Sequence, residues 1–137
     1  MDNKNKLESI EPGTEEKMRI VAGWLQEKQG KGIVALNVEG ICSITEGVVL
    51  ATSGSVRHGQ ALADHVLDMC KQTGLRFSGM EGYKTGSWLL VDLNDVLVHI
   101  FQEESRQFYN LEGLWSEAPE LELDLPADEE DDNDFGE

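Results

Sequence analysis

The run VVLATS at residues 48–53 is apolar almost throughout. It leads directly into the small-residue turn Ser53-Gly54-Ser55, then into a stretch whose positions Leu62, Val66, Met69 and Thr73 recur at helical spacing up to Gly74. A strand without polar alternation is buried on both faces, so it belongs in the middle of a sheet. A strand, a tight turn and a helix in that order imply a covered, partly parallel sheet, with Ser55 placed to cap the helix. The expected class is therefore α/β, a mixed central sheet of about five strands flanked by helices.

The remaining elements follow from period and punctuation. Residues 1–13 are polar and end in Pro12-Gly13, a flexible lead-in. Thr14 can cap a helix with Glu15 and Glu16 in its first turn and Met18, Val21, Ala22 and Leu25 on one face, stopping at Gly30. IVALNV (33–38) and ICSIT (41–45), joined through Glu39-Gly40, read as a hairpin. Residues 75–78 are a weak strand candidate, and GMEGYKTGS (79–87) reads as an irregular surface loop. WLLVD (88–92) and VLVHIF (96–101) flank Leu93-Asn94-Asp95 as a second hairpin. Residues 103–115 read as one helix with Phe108, Leu111 and Trp115 on a common face.

Charge divides the chain unequally. Of 27 acids in 137 residues, eleven lie in residues 117–137, where there is no base, and the remaining body carries 16 acids against 11 bases. The body charge is thus −5, and the tail, with too few apolar groups to offset ordering entropy, is expected to be disordered. Leu121, Leu123 and Leu125 are the residues by which it could dock transiently. Scattered single bases disfavour a DNA or RNA partner, because phosphate binding needs clustered Lys and Arg. No apolar stretch approaches bilayer length and the amino terminus lacks a signal-peptide core, so a cytoplasmic protein without a membrane role is expected.

Candidate chemistry is sparse. The Ser53-Gly54-Ser55 turn could receive an anion at the helix start and, with two metal-binding carboxylates, could serve a metal-dependent nucleotidyltransferase. Asp64 falls within the helix, and Asp92 and Asp95 straddle a hairpin turn, so a converging pair is not evident; SGSVRHG also fails the phosphate-loop pattern. His58 and His65 are seven residues apart, roughly 10 Å along a helix, too far for one metal, and His99 comes from a strand. Cys42 and Cys70 form neither a CxxC pair nor a disulfide framework, and read as buried thiols. Neither a metal nor any other cofactor is expected. In WLLVD, Trp88, Leu90 and Asp92 share one face and Leu89 and Val91 the other. If the Leu89 face is core, the first three form an apolar patch with an acidic edge suited to a basic protein; otherwise Trp88 lies beneath a helix as core.

Two segments, SITEGVVLATSGSVRHGQALADHV (43–66) and GYKTGSWLLVDLNDVLVHIFQEESRQFYNLEGLW (82–115), contain W-x-x-x-D-x-x-D-V-x-V-H from Trp88 to His99. Over residues 14–116 the chain resembles the ribosomal silencing factor family, RsfS or Iojap. The resemblance implies a nucleotidyltransferase-like α/β domain without the catalytic residues, and no enzymatic activity. It also implies binding to the large ribosomal subunit through large-subunit protein fourteen, obstruction of small-subunit joining, repression of translation under nutrient limitation, and a homodimer when free. The positions that match the family's contact region are Trp88, Asp92, Asp95 and Val96, with Tyr83 and Glu103 as neighbours. The acidic tail lies beyond the shared domain and serves either solubility or weak competition with ribosomal RNA.

Overall fold

A computed structural model describes residues 12–125. In chain order the elements are α1 (Thr14–Glu27), β1 (Lys31–Asn37), β2 (Gly47–Ser53), α2 (Val56–Thr73), β3 (Gly79–Glu81), β4 (Trp88–Asp92), β5 (Val96–Gln102), α3 (Glu103–Tyr109) and α4 (Leu111–Leu114). The five strands form one sheet in the order β1-β2-β5-β4-β3. The pair β2 and β5 is parallel and the other pairs are antiparallel, so the sheet is mixed. All of β2 except Thr52 is buried, as its unbroken apolar run requires, and it lies beside the central strand β5.

Side-chain alternation sorts the sheet into two faces. Val49, Ala51, Leu89, Val91, Val98 and Ile100 meet Met18, Val21 and Leu25 of α1 and Leu62, Ala63 and Val66 of α2 in one continuous core. The opposite residues, Leu36, Val48, Leu50 and Phe101, form a smaller core with Leu111 and Ala118. α2 begins as its sequence indicates: the Ser55 hydroxyl accepts a hydrogen bond from the His58 amide at 3.0 Å, and Gly74 closes the helix in the left-handed conformation. At α1, however, Gly13 is the cap residue. The Thr14 hydroxyl instead lies 2.8 and 2.7 Å from carboxylate oxygens of Glu46 and Asp95, its single proton shared between them, and the helix ends at Glu27, before Gly30.

Several expected elements are corrected. Residues 41–45 form no strand: apart from a single bridge between Glu39 and Cys42 they make a loop, and β1 pairs with β2. Cys42 and Ile44 do alternate with Ser43 and Thr45, but Ile44 stays 74% exposed with no core to face, and the unbroken apolar run VVLATS is the partner that β1 takes. The short third strand is 79–81, inside the glycine-rich segment, and residues 75–78 form no strand, although the Ser78 amide donates to the Asp92 carbonyl at 2.8 Å. The helix expected over 103–115 breaks at Asn110, which adopts φ 50° and whose side chain accepts from the Gly113 amide. The break turns Leu111 and Trp115 back toward the sheet and leaves Phe108 81% exposed, so these three share no common face.

The folded chain also runs past residue 116. Ala118 is buried, the Asn37 amide donates to the Pro119 carbonyl at 2.9 Å, the Leu121 amide donates to the Ala35 carbonyl at 2.7 Å, and Leu121 and Leu123 pack against the larger core. The expectation of disorder from residue 117 is therefore corrected for residues 118–123; the stretch 126–137 and the lead-in up to residue 11 lie outside the described residues.

Candidate functional site

On β4 the Leu89 face is core, which leaves Trp88, Leu90 and Asp92 on the smaller, thinly covered face. Trp88 is half-buried there. Its ring lies 4.4 Å from Tyr109, 5.7 Å from Phe101 and 5.9 Å from His99, measured between centroids. The indole N–H donates to Nδ1 of His99 at 3.1 Å. An indole can only donate, so this bond fixes His99 as the neutral tautomer protonated at Nε2. His99 sits beside Trp115 and is 7% exposed, its Nε2 buried without a partner, and burial pushes its pKa down to about 4. The strand members of this aromatic group are set by register, Trp88 standing opposite Phe101 and Leu90 opposite His99, while Tyr109 comes from α3 and Trp115 from the end of α4. Leu90, Leu97 and Asp92 remain partly open around it, and Phe108 and Leu114 project from the short helices, 81% and 67% exposed.

The six residues expected to form one contact surface fall in separate places. Trp88 and Asp92 share the open face, where one Asp92 carboxylate oxygen accepts from the Asn94 amide at 2.9 Å and shapes the hairpin turn. Asp95, the residue immediately before β5, points toward α1. Its carboxylate accepts from the Lys17 ammonium at 2.6 Å and from Thr14. Burial alone would raise its pKa, but the hydrogen bonds from Lys17 and Thr14 and the Lys17 charge outweigh that and hold the carboxyl below its ordinary value. Val96 is fully buried in the larger core and offers no contact surface, so its expected role is corrected: in β5 it falls on the helix-covered side with Val98 and Ile100. Tyr83 is tied to α2, its hydroxyl donating to Asp64 at 2.9 Å and its carbonyl accepting from Gln60 at 2.7 Å. Glu103 opens α3 and accepts from Gln107.

The enzyme-like features resolve into internal bonding. Asp64, Asp92 and Asp95 bond to Tyr83, the Asn94 amide and Lys17, in three different places. The Gly54 amide donates to Nδ1 of His58, whose Nε2 meets the Lys28 carbonyl at 2.8 Å, while Nε2 of His65 pairs with Glu27. Among the described residues, no three His, Cys, Asp or Glu side chains gather as a metal-ligand set, and no helix is long and apolar enough to cross a membrane.

A family model described as "Ribosomal silencing factor during starvation" matches residues 11–136. The chain is 36% identical over 108 residues to the ribosomal silencing factor RsfS of Bacillus subtilis, an alignment covering 79% of this chain and 92% of that protein. A crystal structure from Bacillus halodurans superposes with a TM-score of 0.71 at 32% identity, covering 80% of this chain and all of the other. A second, from Chromobacterium violaceum, also gives 0.71, at 30% identity over 84% of this chain and 96% of its own. The chain belongs to the ribosomal silencing factor family.

The structure also shows what residue patterning left out. Lys17 is buried within α1 and reaches the Leu93 carbonyl as well as Asp95, so a charge in an apparently ordinary amphipathic helix pins the β4–β5 turn. Arg106 is buried too, gripping both carboxylate oxygens of Glu112 at 3.1 and 2.9 Å and donating to Thr52 at 2.7 Å. Nothing in the spacing marks either pair: residues 17 and 95 are remote, and a separation of six is not a helical one. The Trp88–His99 bond had a usable signal, because across the hairpin the two residues are diagonal neighbours on one face, Trp88 standing opposite Phe101 and His99 opposite Leu90.

Proposed function

We propose that this chain docks on the large ribosomal subunit through large-subunit protein fourteen, at the face centred on Trp88, and keeps the small subunit from joining. It acts by occupying a surface and catalyses no reaction. It represses translation in the cytoplasm and is a homodimer when free. The observation that carries the reading is the half-open Trp88 cluster on a sheet face thinly covered by two short helices and the adjoining loop residues, in a chain of this family. Aromatic anchors in partly desolvated settings dominate protein interfaces, and Asp92 at the border of the face favours a basic ribosomal protein by complementary charge. Of the remaining positions, Glu103 opens the short helix α3 over that face, Tyr83 is tied to α2 away from it, and Asp95 fixes the β4–β5 turn from the side of α1.

The test is sedimentation of the purified protein with separated ribosomal subunits, followed by an assay of their rejoining. Comigration with the large subunit and blocked joining is the expected result. Trp88→Ala should weaken that binding by about tenfold or more, equivalent to about 1.4 kcal/mol. Binding to neither subunit would overturn the proposal, and unaltered binding by Trp88→Ala would move the contact elsewhere.

A further inference from the structure

An open sheet edge presents unpaired amides and carbonyls that recruit other strands, and proteins blunt such edges by several devices. Here the two edges are treated differently. At one, β3 has three residues and ends in Glu81. At the other, β1 has seven, with Val34 and Leu36 on one side and Ile33 and Ala35 on the other, and no acid among them. Its first half is interrupted by a register shift at Gly32, which takes φ +55°. Its second half would be open but for residues 118–125.

Those residues wrap the edge. The Asn37 amide and Ala35 carbonyl, which point outward from β1, are taken by the Pro119 carbonyl and the Leu121 amide, and Leu36 faces Glu120 in an antiparallel bridge. Ala118 reaches the smaller core while Leu121 and Leu123 reach the larger one, so the segment touches both sides of the sheet. Arg19 of α1 adds a bond to the Glu122 carbonyl at 3.4 Å. The alternation in ELELD turns Leu inward and leaves Glu120, Glu122 and Asp124 exposed, so three carboxylates stand where a neighbouring strand would approach.

We propose that residues 118–125 are a strap that seals β1 against a second copy of this chain. Displacing the strap opens a strand-addition surface through which two copies pair edge to edge, β1 against β1. The second copy fits because the exposed strand would be identical and acid-free on both partners, and a two-fold axis satisfies the same outward groups on each. With the strap in place its carboxylates repel the same approach. The inference is independent of ribosome binding, and the association it describes is additional to any dimer formed by the intact chain.

The test compares the full chain with the full-length double variant Leu121→Asp and Leu123→Asp, by amide hydrogen exchange and sedimentation velocity over a range of concentrations. In the unaltered chain the Asn37 amide should be protected and the sedimentation coefficient constant. In the variant at low concentration Asn37 should exchange faster by about tenfold or more, as expected for an edge bond released by local opening. With rising concentration the variant should double the mass of the unaltered chain's species and regain protection at Asn37. Equal protection of Asn37 in both proteins would overturn the strap, and exposure of Asn37 without association would overturn the pairing surface. The Val98 and Ile100 amides of the central strand report whether the sheet survives; if they too lose protection, Leu123→Ala is read by the same criteria.

Discussion

The face of the sheet beneath α1 and α2 and the face beneath α3 and α4 share every strand, yet they are closed to very different degrees. On the first, seventeen buried residues from two long helices and the strands form one core. On the second, seven buried residues suffice, and Trp88, Val34, Cys42 and Trp115 are only partly covered. Hydrophobic stabilisation scales with apolar area removed from water, so the first face carries most of the folding free energy. The second is thereby free to keep aromatic surface half-open, which is what a docking face requires. A small domain that must expose such a surface can do so because the opposite face holds it together.

The sharpest way to break that asymmetry is through the ion pair that supports the covered face. Asp95→Ala removes the carboxylate that meets Lys17 at 2.6 Å and leaves an ammonium that is 1% exposed without this counter-charge. The expected cost is about 3–5 kcal/mol, read from a denaturant midpoint. A cost below about 1 kcal/mol, the range of surface ion pairs, would show that the buried lysine is not tied to the hairpin in this way.

Adjacent residues of β4 give the next test, because they point to opposite faces. Leu89 is fully buried beneath α2, and Leu89→Ala should cost about 2–5 kcal/mol. Leu90, partly open beside His99, should cost about 1 kcal/mol or less as Leu90→Ala, since little cavity is left. Equal losses would mean that the second face is as closed as the first.

The two faces also separate by pH. His99 titrates near pH 4 in the fold against an ordinary 6.5, so unfolding takes up a proton between those values. Its stabilisation is therefore complete above pH 6.5 and is lost as the pH falls toward 4, by at most about 3 kcal/mol. Asp95, whose carboxyl is held below its ordinary value, loses its contribution only as the pH falls further, through its lowered folded pKa. Thermal melts from pH 7 to 3 should show an early loss that His99→Gln flattens and a later one that Asp95→Asn flattens. An unchanged slope in His99→Gln between pH 6.5 and 4 would exclude the buried histidine as its source.

How much of this was legible in the sequence differs by face as well. The β4–β5 hairpin, the helix after Ser55 and the doubly buried β2 were readable because period, cap and turn residues agree locally. The second face was not, since its cover depends on Asn110 taking a left-handed conformation that residue type permits but does not demand. ICSIT passed for a strand on composition, although its expected partner IVALNV has its match in VVLATS. Alternation placed Trp88 and Asp92 on one common face but left open whether that face or the Leu89 face was the core. Val96 was misplaced because a contiguous motif was treated as one patch, whereas neighbours in a strand face opposite ways.

The smallest expected effect tests what the thin cover is for. Phe108 is 81% exposed at the end of α3 and packs edge-on to Tyr109 with centroids 5.0 Å apart, so its burial contributes little to the fold. Phe108→Ser should change stability by about 0.5 kcal/mol or less, as surface substitutions do. Tyr109, by contrast, lies 4.4 Å from Trp88 and covers it, so Tyr109→Ser should both destabilise the domain more than Phe108→Ser and increase the exposure of the tryptophan to a fluorescence quencher. If Phe108→Ser instead costs as much as Tyr109→Ser, then α3 is held by Phe108 against something other than the sheet. The second face would then be a closed layer with an outer partner of its own, and the contrast between the faces would have to be drawn at the surface of α3 rather than at Trp88.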